Sequence, residues 1–208
     1  MFKELTIDQF QEKLSSSEPV PGGGSLAAIS GSLACSLAEM FINLTLEKEK
    51  YAEDHPLFSE AKGKVIELKE KLIKLADEDA SAFDKVMQAF KLPKGTDEEK
   101  AKRKEAIAKA FLEAAEVPRK TASSAIELLR ILGKLAEGGN PNAISDLGVA
   151  SLTAYSALIG ALLNVRINLP SIKDEDYVEK ASTETDALEK EGNELKDRIL
   201  AKVKERIG

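Results

Sequence analysis

The stretch from Pro19 to Thr45 constrains the fold more than any other part of the chain. It opens with Pro21-Gly22-Gly23-Gly24-Ser25. From Leu26 to Leu44 the small residues Ala27, Ala28, Ser30, Gly31, Ser32, Ala34, Cys35, Ser36 and Ala38 then alternate with Leu, Ile, Met and Phe. No broad polar face remains, and a helix apolar nearly all round belongs in the middle of a bundle. The glycines let the backbone turn tightly and let another surface come close. Free N–H groups and a partial positive charge at the helix start make a ligand cradle one reading of Gly22 to Ser25. A glycine-rich lead-in capped by Ser25 explains the same residues with no ligand. No Lys-Ser or Lys-Thr follows the glycines and no strand precedes them, which argues against a nucleotide P-loop.

Residues 147–165 form a second stretch without charge, but Ser151, Thr153, Tyr155, Ser156 and Asn164 make it a second central helix rather than a membrane span. With 208 residues and no linker, the expectation is a single domain over 1–208. Hydrophobic content of 43% with only 5% aromatic residues and no Trp points to helices packed through small and aliphatic side chains. The expected fold is therefore all-α, an up-and-down bundle of long helices around two apolar central helices. A net charge of −6 offers no general attraction to nucleic acid or an anionic membrane surface. The lone Cys35 makes no internal disulfide, suits a reducing cytoplasm, and reads as a core residue rather than a nucleophile. Lys3, Glu4 and Asp8 interrupt any signal peptide.

Thr6 and Gln9 form a capping box for a short helix whose Ile7, Phe10 and Leu14 stripe is expected to lie against the bundle. Asp54 before His55-Pro56 starts a helix that runs to about Leu92. Its stripe is Val65, Leu68, Leu72, Leu75, Asp79, Ala82 and Val86, so Asp79 occupies a position where an aliphatic residue is expected. A carboxylate there, without partners, costs several kcal/mol or takes a raised pKa, as a general acid or base near neutrality requires. A structural Asp satisfied by helix N–H groups, Ser or Arg is the other reading. Lys94, Lys100, Lys102, Arg103 and Lys104 cluster around a helix start at Thr96, either as a solvated face or as a contact for an anion. Pro118 is expected to kink or divide the helical stretch that Gly138-Gly139 ends. Asn142 or Ser145 would cap the next helix, with Asp146 complementing its dipole. Asn164 and Asn168 share one face of that helix and need partners, either a ligand or backbone. A charged amphipathic helix from Asp174 to Ile207 closes the chain, with Tyr177, Leu188, Leu195, Ile199 and Val203 available for packing.

The order and spacing of these pieces carry a resemblance. Pro21-Gly22-Gly23-Gly24-Ser25, Asp77-Glu78-Asp79-Ala80-Ser81-Ala82-Phe83, Leu92-Pro93-Lys94, Val117-Pro118, Gly139-Asn140, Ser145-Asp146-Leu147 and Asn164-Val165-Arg166-Ile167-Asn168-Leu169 follow one another over nearly the whole chain. In this the chain resembles the cyclodeaminase/cyclohydrolase family of folate enzymes, the all-helical domain at the C-terminal end of formiminotransferase-cyclodeaminase. Glu39 and Arg166 depart from its usual small or aliphatic residues.

The resemblance implies a cytoplasmic homodimer that binds tetrahydrofolate derivatives, polyglutamylated forms included, with no cofactor beyond that substrate and no metal. The reaction it implies is conversion of 5-formiminotetrahydrofolate to 5,10-methenyltetrahydrofolate with loss of ammonia. A methenyltetrahydrofolate cyclohydrolase is the near alternative, and a non-catalytic folate-binding or structural bundle the distant one. Asp79 would move the proton and Asp146 would assist it. Pro21, Gly22, Gly23, Gly24 and Ser25 would hold the pterin or a carboxylate, while Asn140, Ser145, Asn164 and Asn168 would complete the polar lining. Lys94 and the cations from Lys100 to Lys104 could guide a glutamate tail. The chain has no formiminotransferase domain, so the expectation is that another enzyme releases its substrate.

Overall fold

The computed structural model describes residues 1–208, which form α1 (Ile7–Leu14), α2 (Gly23–Leu46), α3 (His55–Phe90), α4 (Asp97–Leu135), α5 (Ile144–Asn168) and α6 (Glu175–Ile207). Local chemistry sets several of the boundaries. Thr6 and Thr96 close capping boxes with Gln9 and Glu99, and Asp174 accepts from the Tyr177 amide at the head of α6. Asp54 precedes α3 but leaves that helix uncapped; its carboxylate instead accepts from the Gly139 amide at 2.7 Å. Neither Asn142 nor Ser145 caps α5, which starts directly from a short 3-10 turn, Pro141–Ala143, capped by Asn140.

α2 runs antiparallel to α3, with Ser25 near Ala76, Ser32 near Lys69 and Phe41 against Phe58. It also runs antiparallel to α5, as Gly23 faces Asn164 and Gly160 faces Ala27. α4 packs on α3 and α5, and α6 lies along α4 and α5. The stripe residues Val65, Leu68, Leu72, Leu75, Ala82 and Val86 are all buried, as their spacing predicts. Cys35 is a core residue whose thiol burial pushes up to about 12, which leaves it inert.

Three expectations change. Of the two expectations at Pro118, division does not occur: α4 is one helix through it. α1 buries no residue, because its stripe meets the rest of the chain through Phe10 on Phe2 while Ile7 stays 77% exposed. The central helices each keep one uncovered side, with Leu33 61% and Leu163 58% exposed. The two departures have partners: Glu39 pairs with Lys69, and Arg166 with Asp186 and Glu189 on α6.

Candidate active site

α3 passes the beginning of α2 at Asp79 and continues about three more turns to Phe90. α4 returns alongside, so the α3–α4 hairpin overhangs the ends of the two central helices. The antiparallel run of α5 brings Asn164 and Asn168 to the same place, and the Pro19-Val20 loop closes the side. Between them lies a cavity of about 420 Å³. Its floor is polar, made by Gly22, Gly23, Gly24, Asp79, Asn164 and Asn168; its wall is Phe83, Met87, Phe90 and Phe111. Phe90 and Phe111 meet edge to face at 6.0 Å. A flat heteroaromatic ring with a polar edge fits such a division.

Asp79 stands at the start of α2 with no cation paired to it. Burial pushes its carboxyl above the usual carboxylate range, and the hydroxyl and main-chain amide of Ser25 draw it part of the way back. Ser25 Oγ lies 2.9 Å from Asp79 Oδ2 and 3.1 Å from the Ala76 carbonyl. That geometry serves both protonation states. The ionised carboxylate accepts the Ser25 proton; the neutral acid donates to Ser25 Oγ, whose own proton turns to Ala76. Gly24 is glycine for a steric reason, since a Cβ there would lie 2.6 Å from the Asp79 carboxyl carbon. The Pro-Gly-Gly-Gly-Ser run therefore makes room for the carboxylate and hydrogen-bonds it.

The two asparagines are held by backbone. Asn164 Nδ2 donates to the Gly160 carbonyl at 2.8 Å, and Asn168 Nδ2 to the Asn164 carbonyl at 2.8 Å and the Ala114 carbonyl at 3.3 Å. Ala114 lies four residues before Pro118, which has no N–H to give it, so Asn168 replaces the missing helical bond. With each Nδ2 engaged, each Oδ1 is the amide's free acceptor for a ligand donor.

Asn140, Ser145 and Asp146 are not brought to this pocket. They lie at the far end of α2, roughly 30 Å along its axis from Gly24. Asn140 is buried there: its amide bonds Thr45 Oγ1 at 3.0 Å, its Nδ2 the Leu44 carbonyl at 3.1 Å, and its Oδ1 accepts from Tyr51 at 3.1 Å. Gly139 beside it has φ of 78°, and Arg206 donates to the carbonyls of Ala136 and Gly139 at 3.0 and 2.8 Å. That cluster fastens the end of α4. Ser145 is exposed and Asp146 partly so. The expectation that they line the same site fails within one chain because antiparallel packing puts the two ends of α5 at opposite ends of the bundle. Sequence reasoning missed the apolar wall, although Phe83, Met87 and Phe90 follow Asp79 at spacings of four, four and three on one face.

The family profile described as Formiminotransferase-cyclodeaminase matches residues 6–187. This chain belongs to that family. Methenyltetrahydrofolate cyclohydrolase of Methylorubrum extorquens is 40% identical over 202 residues, covering 97% of each protein. Formimidoyltransferase-cyclodeaminase of Mus musculus is 31% identical over 98% of this chain, which spans only 38% of that longer protein. The crystal structure of formiminotetrahydrofolate cyclodeaminase from Thermotoga maritima superposes with a TM-score of 0.89 at 30% identity, covering 100% of both chains. The formiminotransferase-cyclodeaminase family thus accounts for the all-helical fold and joins the chain to enzymes of folate one-carbon chemistry.

Proposed function

We propose that this protein hydrolyses 5,10-methenyltetrahydrofolate to 10-formyltetrahydrofolate. The observation that carries the chemistry is Asp79, a carboxyl with a raised pKa and no paired cation, set between the polar floor and the apolar wall of one cavity. The 40% identity over 97% of both chains to a protein named for this reaction favours it over other reactions at the same centre. The pterin would lie against the wall, with its N–H groups toward Asn164 and Asn168 Oδ1. Ionised Asp79 takes a proton from water as its oxygen bonds the cationic methenyl carbon. The tetrahedral adduct then collapses: its hydroxyl gives a proton to solvent, the bond from carbon to N5 breaks, and N5 takes the proton held by Asp79. One proton is released overall, and Ser25 stabilises Asp79 both before and after.

The Thermotoga maritima likeness supports a second reading, cyclodeamination of 5-formiminotetrahydrofolate. N10 would attack the amidine carbon, Asp79 would take the N10 proton, and the leaving nitrogen would receive it as ammonia departs. Both reactions use one carboxyl to carry a proton, from water to N5 in the first and from N10 to the leaving nitrogen in the second, and neither needs a further cofactor. A homodimer is part of the proposal, since Leu33 on α2 and Leu163 and Ile167 on α5 form an uncovered apolar face. The proposed compartment is the cytoplasm.

The test follows the methenyl absorbance with purified protein. Accelerated loss from 5,10-methenyltetrahydrofolate is the expected result. Gain of that absorbance with ammonia from the 5-formimino compound, and no accelerated hydrolysis, would replace it with the cyclodeaminase. Silence with both would leave a folate-binding bundle.

A further inference from the structure

Asp79 is the only charged side chain that lines its cavity. Glycine, proline, asparagine and apolar residues make the rest of the lining, so no lysine, arginine or histidine of this chain stands there to balance an ionised carboxylate. Ser25 offers its hydroxyl at 2.9 Å and its main-chain amide, which are dipoles and not a countercharge. Arg103 reaches the wall without entering the cavity: its guanidinium lies 5.8 Å from the Phe90 ring and donates to the Phe90 carbonyl. The elements packed around Asp79 bring nothing else that titrates. α2 presents its glycines and Ser25, α4 presents Phe111 and Ala114, and α5 presents Asn164, Ile167 and Asn168. On α3 itself, Asp77 accepts from the Phe2 amide at 2.8 Å and Glu78 is exposed.

A single uncompensated carboxylate thus shares about 420 Å³ with a wall of Phe83, Phe90 and Phe111. Both parts favour a cation of one kind. Phenyl faces attract a delocalised positive charge as well as apolar surface, and a carboxylate pairs best with a planar donor that meets it edge on. A compact ion such as sodium or ammonium would give up hydration that the rings do not replace. A flat cation with its charge spread over an N–C–N unit keeps both contacts.

We propose that the Asp79 cavity is a site for planar amidinium cations and selects its ligand by charge. The proposal rests on the folate reading of this cavity and adds the basis of its selectivity. In 5,10-methenyltetrahydrofolate the carbon between N5 and N10 belongs to a cationic N–C–N unit, and 5-formiminotetrahydrofolate carries such a unit when its imino nitrogen is protonated. 10-Formyltetrahydrofolate has a neutral amide at that place. Hydrolysis therefore removes the charge that Asp79 holds, so the product is bound less tightly than the substrate. Asp79 then has two roles, counter-ion to the substrate and carrier of the proton.

The test uses benzamidine, a phenyl ring bearing an amidinium, and benzamide, its neutral isostere. NMR titration at neutral pH measures the binding of each to the wild type and to Asp79→Asn. The wild type should bind benzamidine about ten-fold or more tightly than benzamide, the effect of one charge-assisted pair, and the variant should bind the two alike. A titration of the wild type toward acid supplies a check that needs no variant. Proton and cation compete for Asp79, so benzamidine binding should weaken as the carboxyl protonates while benzamide binding stays constant. Equal binding of the two by the wild type, no benzamidine binding at millimolar concentrations, or a preference that survives in Asp79→Asn overturns the proposal. Turnover of the methenyl compound without a benzamidine preference overturns charge selection and leaves the reaction standing. A benzamidine preference without turnover of either folate keeps the cation site and overturns the folate reading.

Discussion

The proposed chemistry rests on Asp79. Its raised pKa has a sign that affects stability as well as rate. In acid both the folded and unfolded chains hold the proton, and Asp79 has no effect. As pH rises the unfolded chain ionises first, so stability falls until the folded carboxyl has ionised as well. Asp79→Asn removes that cost, and its melting temperature at neutral pH should equal or exceed that of the wild type by a few degrees, with no gain in acid. Its turnover should fall by about 10² to 10⁴, the usual contribution of a positioned acid or base. A variant that melts far lower and keeps its activity would make Asp79 structural. Ser25 tunes the same group: without its hydroxyl, the acid limb of the rate profile for Ser25→Ala should move to higher pH. A limb that stays in place would separate Ser25 from the reacting carboxyl. Gly24→Ala should displace the carboxyl and lower the rate with little change in helical content, because the atoms nearest the added Cβ belong to the Asp79 side chain.

At the scale of elements, the hairpin of α3 and α4 and the C-terminal turn of α5 are tied by one exchange of hydrogen bonds. Pro118 frees the Ala114 carbonyl, and Asn168 takes it while lining the cavity. Asn168→Ala should then cost about 1 kcal/mol, through the partly buried carbonyl left without a protein donor. With Pro118→Ala the amide at position 118 can bond Ala114 itself, so the same substitution should cost less. Urea titrations of the four proteins form the cycle that measures this coupling, and additive costs would remove the exchange. The continuity of α4 through Pro118 has the same origin: a proline inside a helix is tolerable where another group satisfies the carbonyl it frees. Proline alone does not disclose that partner, which is why a division of the helix at 118 is one natural expectation from sequence.

For the whole molecule, the decisive feature is the side of α2 and α5 that one chain leaves uncovered. Helices with so little charge suit a bundle centre, yet Leu33, Leu163 and Ile167 lie open. Leu33→Glu with Leu163→Glu should halve the mass seen by light scattering while helical content is kept; a wild type that is already a monomer would end the dimer proposal. Periodicity and composition were enough to specify an all-helical chain, the apolar helices α2 and α5, the capping boxes at Thr6 and Thr96, and Asp79 as a polar intruder on a core stripe. All of these follow from neighbours within a turn or two, where spacing along the chain is spacing in space. Resemblance joined Gly22 to Ser25 with Asp79, Asn164 and Asn168, and the fold brings those residues together. It also joined them to Asn140, Ser145 and Asp146, which the fold holds at the other end of the bundle. Only the tertiary structure decided which motifs meet, because the antiparallel packing of α2 against α3 and α5 sets distances that no local pattern encodes. The aromatic wall arises in the same way, from a hairpin that outruns the helices beneath it.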